Sequence, residues 1–124
     1  MFDTIGTMNL DALRATNGSG KFIRSERRQM LAYDYEAIIA VGEQPEGDYP
    51  TGHPVTGAYY AVQISKVGED YVPWQVSVTY VEPIDIGVFY GVVADRRAWS
   101  LADAKAMGKQ LVAEHIARQD ARVA

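Results

Sequence analysis

The sequence predicts an α+β fold: a three-stranded antiparallel meander packed against a C-terminal helix, with a mainly helical N-terminal segment completing the core. Three observations carry this expectation. Two stretches alternate apolar and polar residues with the period of a half-buried strand, a third is apolar on both faces, and a fourth repeats its apolar residues at helical spacing. A chain of 124 residues without cysteine fits one domain that buries its core without disulfide staples. Residues 1–124 are therefore read as one unit: 1–41 mainly helical, 42–57 a Gly/Pro-rich loop, and 58–118 a βββα unit.

Asn9 is placed to cap a short helix through Arg14, which the turn-prone Asn17-Gly18-Ser19-Gly20 ends. Ser25 is placed to cap a second helix from Glu26 to about Ile39. Its apolar residues Met30, Leu31, Tyr33, Ala37, Ile38 and Val41 cover more than half of the circumference. The alternative is a short buried strand over 37–41, since periodicity does not separate the two in so short a run. Residues 42–57, GEQPEGDYPTGHPVTG, hold four glycines and three prolines, which excludes regular structure. A loop of this length in a compact domain is functional or disordered.

The first strand of the meander is expected over 58–66, where Tyr60, Val62 and Ile64 alternate with Tyr59, Ala61, Gln63 and Ser65. The second, over 72–81, alternates Trp74, Val76, Val78 and Tyr80 with Gln75, Ser77 and Thr79. Gly68, Glu69 and Asp70 between them supply a hairpin loop. Glu82-Pro83-Ile84-Asp85 suits a turn with Pro at its second position. The third strand, 86–93, carries Gly87 and Gly91 on one face with Phe89 and Val93, a pattern that marks a bulge or the close approach of another element. In the helix from Leu101 to about Arg118, Ser100 and Asp103 resemble a capping box, with Asp in place of Glu or Gln. Leu101, Ala104, Gly108, Leu111, Val112 and His115 share one stripe, while Asp103, Gln110 and Glu114 face away. The segments 57–62 and 87–92 echo one another; two short copies read as strands drawing on the same β-favouring residues rather than as a repeat.

The layout of charge says more than its total. From Gln29 to Asp95 there are ten acidic residues against one basic residue, Lys66, a net −9; residues 1–28 sum to +2 and 96–124 to +3, giving −4. All eight tyrosines fall within the acidic stretch. Such a field steers association with a cationic partner more than it builds a fold. A pI near 5.1 argues against direct nucleic-acid binding. The longest near-continuous apolar run, Gly87 to Ala94, is too short to cross a bilayer, so no membrane association is expected. The opening residues show no secretory signal, and the absence of cysteine fits a reducing compartment; a cytoplasmic protein is expected.

Thr16 to Phe22 brushes against a phosphate-binding loop but has Ala15 where that motif needs Gly and Phe22 where it needs Ser or Thr. Lys21, Arg24, Arg27 and Arg28 form a basic cluster, a weak anion-binding candidate whose alternative is pairing with the chain's own acids; on a helix, Arg24, Arg27 and Arg28 would share a face. His115, in the apolar stripe, reads as a hydrogen-bonded core histidine. His53, beside Asp48 in the loop, is a candidate base or metal ligand. Neither HxH nor HExxH spacing nor a GxSxG turn occurs, and no catalytic residue, metal or cofactor is expected. The face carrying Tyr59, Ala61, Gln63, Ser65, Gln75, Ser77 and Thr79 is uncharged, and is either an interaction surface or covered by the N-terminal half.

Acid stands beside Tyr at two loop tips, which makes Glu43, Glu46, Asp48, Tyr49, Glu69, Asp70 and Tyr71 the protein-binding candidates. The leading expectation is a non-enzymatic protein-binding domain that engages a basic, nucleic-acid-binding partner, in the manner of a small phage or plasmid accessory inhibitor. The alternatives are a small-molecule or enzymatic site under the 42–57 loop, and a nucleic-acid-binding module using the basic termini; homo-oligomerisation stays open.

Overall fold

The computed structural model describes residues 18–24, 34–41, 57–68, 72–84 and 87–123. They form an antiparallel sheet in the order β1-β2-β3-β4-β5, with β1 Ile23–Arg24, β2 Tyr35–Ala40, β3 Tyr59–Lys66, β4 Trp74–Ile84 and β5 Gly87–Ala98, followed by helix α1, Leu101–Val123. The fold is α+β, but the sheet has five strands where the alternating patterns predict three. The expected N-terminal helix over 26–39 is corrected at its end, because Tyr35–Ala40 is a strand. Ala37 and Ile38 point to opposite faces and both are buried. A strand apolar on both faces looks like a helix apolar around its circumference, which is why the pattern misled. The short-strand alternative was nearer, and begins two residues earlier than expected. The Asn9 helix, residues 25–33 and the loop at 42–56 lie outside the described residues.

One sheet face packs on α1. Tyr60, Val62 and Ile64 of β3 and Val76 and Val78 of β4 meet Ala104 and Val112 there, all at most 2 % exposed. The expected helix stripe holds: Ala104, Gly108 and Val112 are buried, Leu101, Leu111 and His115 half-buried, and Asp103, Gln110 and Glu114 exposed. Ser100 Oγ accepts from the Asp103 amide at 3.0 Å and caps the helix. Gly108 allows the close approach: a Cβ there would collide with Val62 and touch Val76. Its neighbours are therefore β3 and β4, not the two-glycine strand.

The opposite face holds a smaller cluster of Ile38, Tyr59, Ala61 and Val81, flanked by Ile23. Tyr59 and Ala61 are buried, so this end of the uncharged face is covered rather than open. The Gly18–Gly20 loop is bonded to the sheet. Gly20 N donates to Ile38 O and Ala40 N to Gly18 O, so the loop is joined to β2 and leads into a strand rather than a helix.

β4 runs past β3: Tyr59 pairs with Val81, and beyond that point only β5 accompanies β4 among the described residues. Pro83 sits in this overhang, paired with Val88, where one side of the strand needs no ladder N–H. Glu82, Pro83 and Ile84 are therefore strand rather than the turn expected over 82–85, and Asp85 lies outside the described residues. The register shift between Val78 and Thr79 leaves Val93 as an extra residue between Val92 and Ala94, the bulge that the strand glycines announced. The echoing segments 57–62 and 87–92 open β3 and β5 and run in the same direction on either side of β4.

Candidate binding cleft

A cleft of about 440 Å³ opens between the C-terminal half of α1 and the overhanging β4–β5 hairpin, a volume within the range of small-ligand pockets. Strand register builds its floor. Tyr60, Tyr80 and Gly91 stand in one row across β3, β4 and β5 on the helix-facing side. Because Gly91 has no side chain, the row ends in a depression beside the Tyr80 ring, partly roofed by Phe89, whose ring lies 3.3 Å from where a Cβ of Gly91 would stand.

Three rings pack together beneath the cleft. Tyr60 and Tyr80 have centroids 5.1 Å apart, and His115 meets Tyr60 edge-on at 5.5 Å. Tyr60 Oη and His115 Nδ1 share a hydrogen bond of 2.6 Å, and the other ring nitrogen lies 3.3 Å from the Gln119 amide. His115 is thus the hydrogen-bonded histidine that its place in the stripe predicts, and it also lines the cleft.

Two carboxylates flank these rings. Tyr80 Oη donates to Glu82 Oε1 at 3.0 Å, and Asp120 lies on the helix side of the cleft. Burial, followed by the hydrogen bond and charge of Glu82, pushes the Tyr80 phenol up to about 12. Burial also raises Tyr60; nearby Arg118 pulls it back down and Asp120 pushes it further up. Both phenols therefore keep their protons at neutral pH and act as hydrogen-bonding groups rather than as bases. Tyr59, on the other sheet face, is raised by burial and then by Tyr90 and Glu36.

Glu43, Glu46, Asp48, Tyr49, Glu69, Asp70 and Tyr71, together with Arg27, Arg28 and His53, lie outside the described residues. Lys21 and Arg24 are exposed, and Arg24 lies in β1, so the shared helical face expected for Arg24, Arg27 and Arg28 does not form. The sequence reading missed Glu82, Phe89, Gly91 and Asp120 as site residues. A signal existed for one pair: Tyr80 and Glu82, two apart on a strand, share a face. Assigning Glu82 to a turn hid it.

Among the described residues no three His, Asp or Glu side chains gather as metal ligands do. No helix of the described residues is long and apolar enough to cross a membrane. No protein-family model, curated protein or solved structure matches the chain.

Proposed function

We propose that this chain is a non-enzymatic binding domain whose acidic, tyrosine-rich surface engages a basic protein. The observation that carries the reading is the net −9 over residues 29–95, a stretch that also holds every tyrosine, Tyr90 exposed among them while Tyr59 and Tyr60 belong to the core. The cleft supports it, because acid stands beside Tyr there: Glu82 is exposed and bonded to Tyr80, with exposed Phe89 and Val92 alongside. Tyr supplies contact area at low entropy cost, and exposed acids orient a cationic partner during encounter. A nucleic-acid-binding protein is the partner class that fits best, since its basic site would be masked by an acidic surface, and a reducing, cytoplasmic setting fits a chain without cysteine. Capture of partners from the native host on the immobilised chain, followed by mass spectrometry, tests this. A partner with a basic contact surface, released by salt, is expected. A partner whose contact surface is acidic or neutral overturns the reading.

A further inference from the structure

We infer that the cleft between α1 and the β4–β5 hairpin seats one cationic side chain, arginine or lysine, of the basic partner; this rests on the reading above and gives it an address. Four features converge. The half-buried Tyr80 and His115 rings, backed by the buried Tyr60 ring, form a floor on which a cation is attracted by the π-faces. Glu82 and Asp120 supply carboxylates, and Glu82 spends one acceptor position on the Tyr80 phenol while a carboxylate offers about four. The negative end of the α1 dipole lies on the same side, since Gln119 and Asp120 fall close to the helix end at Val123. Ile116, Val41 and Val93 offer apolar surface along which the methylene stem of a long cationic side chain packs.

The chain's own cations do not line this cleft among the described residues. Lys105 sits over Tyr35 at 4.9 Å and over Phe22 at 5.7 Å, and Lys109 over Phe22 at 5.8 Å, all near the N-terminal half of α1. Arg118 lowers the pKa of Tyr60 but is itself exposed and does not line the cleft. A guanidinium or ammonium entering from outside finds two carboxylates and an aromatic floor, and it leaves the Tyr60–His115 bond intact.

The test is an NMR titration of the full chain with N-acetyl-arginine amide, compared with its neutral, near-isosteric citrulline analogue. Shifts at Gly91, His115 and Gln119 with the arginine probe, and none with citrulline, are expected. Glu82→Gln combined with Asp120→Asn, both at exposed positions and both keeping an acceptor oxygen, should weaken the arginine probe about tenfold or more, as loss of hydrogen bonds to charged groups does. Equal shifts with citrulline, or unchanged affinity in the double variant, overturn the inference. The two claims fail separately. A captured basic partner that binds the double variant as it binds the parent removes the cleft and leaves the partner reading standing. Arginine binding in the cleft with a captured partner that is acidic does the reverse.

Discussion

Tyr60 Oη lies 2.6 Å from Nδ1 of His115, tying the middle strand of the sheet to the C-terminal half of the helix across 55 residues of sequence. The tyrosine is 2 % exposed, so its hydroxyl has little water to turn to if the histidine is removed. Tyr60→Phe keeps the ring stack on Tyr80 and loses only the bond, and should cost about 1 kcal/mol. Denaturant melts check this. A cost indistinguishable from zero would mean that water replaces the contact.

Gly108 marks the closest approach of helix and sheet. Gly108→Leu should destabilise by about 1–3 kcal/mol although Leu is the better helix former, because the new side chain must displace Val62 and Val76. Gly108→Ala isolates the collision from the bulk. It should also lose stability, outweighing a helix-propensity gain of about 1 kcal/mol. A stabilised Ala variant would show that the layers sit further apart.

The helix stripe separates neighbours in the chain. Val112→Ala, at a residue 2 % exposed, should cost about 2 kcal/mol. Leu111→Ala, at a half-buried residue, should fall toward the lower end of the roughly 2–5 kcal/mol range for buried Leu truncation. Glu114→Ala, exposed, should cost about 0.5 kcal/mol or less. Equal effects in melts would place the helix on its wrong face.

Alkaline pH provides a readout of the tyrosine environments. Tyr80 and Tyr59 hold their protons above the ordinary phenol value of 10.0. A group whose pKa is raised by folding contributes stability that is fully present below its unfolded value and lost as pH rises through its folded one. Stability should therefore begin to fall above about pH 10 and continue through the Tyr80 value near 12. Phenolate absorbance should show a late-titrating class that joins the rest on unfolding, and that Tyr80→Phe reduces. A single titration near pH 10 with unchanged stability would contradict the burial of these rings.

The legible elements were those whose core residues recur at a regular period, even where, as at Tyr59 and Ala61 of β3, the other face is also buried. β3, β4 and α1 announce themselves because Val62 and Ile64, Val76 and Val78, and Ala104 and Val112 recur at the right periods between polar neighbours. β2 was ambiguous because Ala37 and Ile38 are both buried on opposite faces, so no alternation marks it. β1 has only two residues, Ile23 and Arg24, too few for any pattern. β5 outran its expected end at Val93, since Asp95, Arg96 and Arg97 are polar and exposed yet still pair with Ser77, Val76 and Gln75. The cleft was mostly illegible. Its Tyr60–Tyr80–Gly91 row exists only once the register of three strands is fixed, and Asp120 joins from a helix whose face at that turn nothing local determines.

The association rate of the captured partner with two charge-reversed forms, Glu46→Lys/Asp48→Lys and Glu69→Lys/Asp70→Lys, tests the central claim most directly. At low salt both forms should associate more slowly than the parent while melting at nearly the same temperature. The gap should close as ionic strength rises to physiological values, where exposed charges are screened beyond about 8 Å. Both forms associating as fast as the parent at low salt would contradict an electrostatic role for the acidic stretch.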